Sequence, residues 1–164
     1  MKTKKLVMMA TLGALLYVVQ IALSFIPNVE LVSFLILIYT LTFKELTLGA
    51  IGIFILLEGL HWGFGLWWWS YIYVWPLLYF IVNGLKRWIK EDDSLMWSVV
   101  LAFYGLFFGM LFAIAYIPVS INYAFSYFVA GIMFDIIHAV GNFTVCMVLY
   151  KPIYSAFHKI KLNS

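Results

Sequence analysis

Every lysine and arginine in this chain falls in one of four short segments. Lys2, Lys4 and Lys5 open it, and Lys44 stands alone. Lys86, Arg87 and Lys90 share a polar run, and Lys151, Lys159 and Lys161 lie near the end. The stretches between these segments are long and almost uniformly apolar. A bilayer core about 30 Å thick asks for stretches of this kind, because only a helix or a closed barrel satisfies its own backbone there. Only 10% of the residues are charged and 66% are hydrophobic, where a soluble domain carries roughly 25% charged residues. The expectation is an all-α integral membrane protein of one domain over residues 1–164, placed in the cell membrane as a multi-pass chain. The net charge of +3 sits beside apolar runs and implies no nucleic-acid partner.

Turn signals divide the chain into six helices. Helix 1 is expected over about Leu6 to Ile26, ending at Pro27-Asn28, and helix 2 over Val29 to Phe43, stopped by Lys44-Glu45. Helix 3 runs from Leu46 to Leu60, before a glycine-containing turn. Helix 4 starts near Trp67 and ends before Lys86-Arg87, and KRWIKEDDS is a loop. Helix 5 spans Leu95 to Ile117 and is closed by Pro118. Helix 6 begins between Asn122 and Gly131 and ends near Tyr150, before Lys151-Pro152 and a basic tail. With the N-terminus inside, all ten basic residues become cytoplasmic, as does the C-terminus. Joining helices 2 and 3 into one kinked span would put Lys86, Arg87 and Lys90 outside, so six helices is the reading. The opening apolar run of about 20 residues exceeds a signal-peptide core and reads as a retained helix. Cys146 is the single cysteine, which excludes an intrachain disulfide.

Four acids, Glu45, Glu91, Asp92 and Asp93, belong to the inner loops. Glu30, Glu58 and Asp135 remain, and an ionisable group within a membrane helix marks a functional site by default. They stand 14, 13 and 16 residues from Lys44, Glu45 and Lys151 respectively. At a rise of 1.5 Å per residue, these separations put them about 21, 20 and 24 Å from the inner boundary, at one level in the outer third of the membrane. Gly131, Asp135, His138 and Asn142 share one face of helix 6. That face suits either ligand lining or helix–helix contact. Tyr17, Gln20 and Ser24 form a weaker polar stripe on helix 1, read as helix contact.

The stretch LEGLHWGFGLWWWSYIYVW, from Leu57 to Trp75, sets Glu58 and His61 beside five tryptophans and two tyrosines. Most of these rings fit an interfacial aromatic belt. Trp62, Tyr71 and Trp75 are the candidates to stack on a flat ligand. Glu58/His61 and Asp135/His138 also have the acid-x-x-His spacing of di-metal helical bundles. The alternative function is therefore a membrane enzyme or metal-binding protein built on those four residues. The chain carries no nucleophile near the acids and no phosphate-binding loop of the G-x-x-x-x-G-K-[ST] type.

The chain resembles the substrate-binding membrane subunits, or S-components, of energy-coupling-factor vitamin transporters. Four features carry the likeness. They are the six-helix plan with both ends cytoplasmic, Ala10-Thr11-Leu12-Gly13-Ala14 in helix 1, PNVELVSFLILIYTLTF, and the closing GIMFDIIHAVGNFTVCMVLYKPIY. Lys44-Glu45 departs from the glycine common in relatives. The resemblance implies a non-enzymatic capture subunit with no cofactor, delivering a micronutrient through a transmembrane coupling subunit and two ATPases. Ala10 and Ala14 would face the coupling subunit. The candidate ligand contacts are Glu30, Glu58, His61, Trp62, Tyr71, Trp75, Asp135, His138 and Asn142. Three carboxyls with no lysine or arginine beside them suit a cationic or N–H-rich heterocycle, of deazaguanine type or a thiamin-like pyrimidine, better than an acid.

Overall fold

The computed structural model describes residues 2–26 and 29–162. Its elements are α1 (Lys2–Leu23), α2 (Val32–Trp62), α3 (Leu66–Leu85), α4 (Ser94–Leu106), α5 (Phe108–Ala113), a 3₁₀ turn (Ile114–Tyr116) and α6 (Ile121–Leu162). No strand occurs among the described residues. Helices α1, α2 and α6 are each long and apolar enough to cross a membrane. Helix α4 and the segment after it make a fourth if a pair bent by 40° is one span. The expected Pro27-Asn28 stop lies outside the described residues.

The expected turn at Lys44-Glu45 is present but contains no loop. Helix α2 runs through it with one non-helical residue, Phe43, at φ −121° and ψ 30°. Neither Lys44 nor Glu45 is a glycine or proline, so the helical hydrogen bonding resumes at once. Contacts on either side show that the chain doubles back there. Residues 44–62 run alongside α1 in the same direction. Lys5 Nζ meets Glu45 Oε2 at 3.0 Å, Gly13 packs on Ala50 and Ile53, and Tyr17 hydrogen-bonds His61. Residues 32–42 run the opposite way, beside α6, with Glu30 at His138 and Phe43 against Phe157. Every residue from Val32 to Phe43 is buried, so this half is a central post. The buried hydroxyls of Thr40 and Thr42 turn back onto Ile36 O at 2.6 Å and Ile38 O at 2.7 Å, which removes their need for an outside partner.

Helix α1 lies on α2 through Leu12, Gly13 and Leu16. A side chain at Gly13 would collide with Ala50 O and Ile53, so the two helices pack backbone to backbone. Ala10 and Ala14 lie on the exposed face of α1. The expected helix 5 is broken at Phe107, giving α4 and α5. The expected end of helix 6 near Tyr150 is also corrected. Helix α6 continues through Pro152 to Leu162. Proline removes one backbone donor, but tertiary contacts hold the helix beyond it. The hydroxyls of Tyr150 and Tyr154 bond Glu91, and Phe157 packs on Tyr39 and Phe43 at centroid distances of 5.4 and 6.0 Å. His158, in the basic tail, stacks on Tyr154.

Candidate functional site

The polar groups gather at the end of the bundle remote from Lys5 and Glu45. Glu30 sits just ahead of α2, and its Oε2 accepts the Ser33 N–H at 2.8 Å, satisfying a free donor of the first turn. Its Oε1 lies 3.2 Å from His138 Nε2 on α6. One turn earlier on α6, Asp135 Oδ1 accepts the Gly109 N–H at 2.8 Å. The break at Phe107 frees that N–H, because it starts a new helix. Glycine at 109 lets the carboxylate approach this closely, since a Cβ there would run into the Asp135 side chain and push it aside.

Glu30, Gly109, Asp135 and His138 line a cavity of about 580 Å³. Gln20, Ser24 and Val29 border it on one side, and Tyr127 and Gly131 of α6 on another. Its aromatic wall comes from Tyr71, Trp75, Phe108 and Phe112. Phe108 stacks on Phe112 at 4.8 Å and meets His138 edge-on at 4.7 Å. Trp75 and Asp135 are 1% and 6% exposed. Trp75 Nε1, Asp135 Oδ2 and His138 Nδ1 are buried without a hydrogen-bond partner. A buried polar atom left unpaired costs about 1–3 kcal/mol, so these three groups beside the cavity are polar groups that the protein itself does not satisfy. Among the described residues, no lysine or arginine lines it.

A second, shallower and more open hollow of about 390 Å³ shares walls with the first. Gln20, Ser24 and Tyr71 line both. Glu58 belongs to this second cavity together with Trp62 and Trp67. Glu58 is 2% exposed, and its Oε1 has no partner.

The nine candidate ligand contacts therefore separate. Glu30, Tyr71, Trp75, Asp135 and His138 meet around the first cavity, and Glu58, Trp62 and Tyr71 around the second. His61 lines neither; it bonds Tyr17 and lies tilted against the exposed Trp62, with ring centroids 4.4 Å apart. Asn142 is buried below the cavity and donates to Leu101 O at 3.3 Å, which makes it a contact between α6 and α4. The four-residue set Glu58, His61, Asp135 and His138 is not assembled into one site. Among the described residues, no three His, Cys, Asp or Glu side chains are placed to hold a metal. Helix 1's polar stripe also divides: Tyr17 ties α1 to α2, while Gln20 and Ser24 face the cavities. Phe108, Gly109 and Phe112 were not legible as site residues, because nothing in FYGLFFGMLF signals the break that presents them.

No protein-family model, curated protein or solved structure matches the chain.

Proposed function

We propose that this protein is the substrate-capture subunit of an ATP-driven micronutrient importer, of the S-component kind. In this reading it crosses the cell membrane six times with both ends cytoplasmic. It takes its ligand from outside and delivers it with a coupling subunit and two ATPases. Support for the topology comes from the reversal of α2 at Phe43 and from the segregation of basic residues to the end remote from the cavity. The doubling back at Phe43 lets α2 supply two of the six passes.

The observation that carries the reading is the first cavity itself. The carboxylates of Glu30 and Asp135 and the imidazole of His138 line it together with the rings of Tyr71, Trp75, Phe108 and Phe112, and among the described residues no lysine or arginine lines it to neutralise the acids. A cationic or N–H-rich planar heterocycle suits both kinds of group at once. Its donors pair with carboxylate oxygens, and its ring lies among aromatic side chains. An anionic vitamin would be repelled. The test is to purify the protein gently from its native membrane, release any bound small molecule and identify it by mass spectrometry. A nitrogen-rich heterocycle is expected; recovery of a carboxylate vitamin would overturn the reading.

A further inference from the structure

We infer that the two cavities are compartments of one site, and that its ligand is two-headed. A planar heterocycle would occupy the larger cavity, and a short arm would carry an ammonium or similar organic cation past Tyr71 to Glu58. This inference rests on the capture reading above and narrows its substrate class.

Three observations carry it. Gln20, Ser24 and Tyr71 are walls of both cavities, so the compartments meet along a shared boundary. Tyr71 is held in place by rings on several sides, with Phe54 at 5.8 Å, Trp67 at 5.2 Å and Trp75 at 5.4 Å, so it acts as a fixed divider. Glu58 lies on the far side of that divider from Asp135. Each is a buried acid, 2% and 6% exposed, with one oxygen unpartnered. A rigid ring paired with Asp135 leaves Glu58 unanswered, and a buried carboxylate oxygen needs a donor.

The second compartment also has the chemistry for a cation. Glu58 supplies the charge, and the indoles of Trp62 and Trp67 supply electron-rich faces. An organic cation fits better than a metal ion, since among the described residues no second acid, histidine or cysteine lines this compartment.

The test uses the purified full chain in lipid nanodiscs and two matched probe pairs. One pair is deazaguanine and its aminomethyl derivative; the other is a methylaminopyrimidine and its aminomethyl derivative. For at least one pair, the arm should raise affinity about tenfold or more in the native protein, as one new charge-paired contact does. In Glu58→Gln the ratio of derivative to parent should fall to near one. In Asp135→Asn both members should weaken while the ratio persists. Trp62→Ala, a change at the surface, should lower the ratio several-fold, and it carries the comparison if Glu58→Gln does not fold. A native ratio near one, or a ratio that survives the changes at Glu58 and Trp62, overturns the two-compartment site and leaves the first-cavity reading standing. If neither parent nor derivative binds the native protein, the capture reading fails and this inference fails with it.

Discussion

At the scale of single residues, the site depends on how the fold divides its carboxylate oxygens between protein donors and the cavity. Asp135 spends one oxygen on the Gly109 N–H and keeps the other free, and Glu30 divides its oxygens between Ser33 and His138. Asp135→Asn should therefore weaken binding of an N–H-rich heterocycle by about 2–5 kcal/mol, or roughly 30- to several-thousand-fold, because ligand donors stay buried without their acceptor. Isothermal titration of the purified variant checks this, and unchanged affinity would remove Asp135 from the site. Gly109→Ala makes a sharper demand. The added methyl collides with the Asp135 carboxylate and forces it off the Gly109 N–H. Affinity should fall at least as far as in Asp135→Asn, and thermal stability in detergent should drop as well, by about 1–3 kcal/mol for the lost cap and the strain.

The helices show why some of this was legible in advance. Rise along a helix is constant, so counting residues from the charged ends puts Glu30, Glu58 and Asp135 at one level. The structure does bring them to one end of the bundle. Helix period likewise put Asp135 and His138 on one face. Two features were not countable. The break at Phe107 has no proline at it, and α6 passes Pro152 because Phe157 and two tyrosines anchor the turns beyond. Phe157→Ala should cost about 1–2 kcal/mol through lost packing on Tyr39 and Phe43. Ligand affinity, set at the opposite end, should stay the same; thermal melts and titration of the same sample separate the two effects. A change in affinity would show that the tail and the cavity are coupled.

For the whole molecule, the reversal of α2 at Phe43 makes topology the most direct test. Reporter fusions at Asn28, Gly63 and Val119 should read outside, and those at Glu45, Asp92 and the C-terminus should read inside. A cytoplasmic signal at Gly63 would leave α2 as a single pass and undo the six-span proposal. The exposed face of α1 belongs to the same scale. Bulky residues at Ala10 or Ala14 should spoil assembly with a coupling subunit while sparing ligand affinity, because this face points away from both cavities. Pull-down from native membrane provides the measurement, with co-purifying ATPases expected for the native chain and lost in the variants. Loss of ligand binding with assembly intact would reverse the assignment.

Several properties follow from the chain's one-dimensional pattern. Its helical class follows from charge spacing and apolar length, which a bilayer reads without regard to tertiary contacts. The common level of three acids follows from helical rise. What only the tertiary structure decided is which acids face one another. Glu30 meets His138 across 108 residues, whereas Glu58 turns to the other side of Tyr71. The direction in which a helix faces depends on the partner it packs against, and here that is governed by distant contacts such as Gly13 on Ala50 and Gly105 on His138. Depth is additive along a helix and can be counted. Facing is a property of the assembled bundle, and no count of residues contains it.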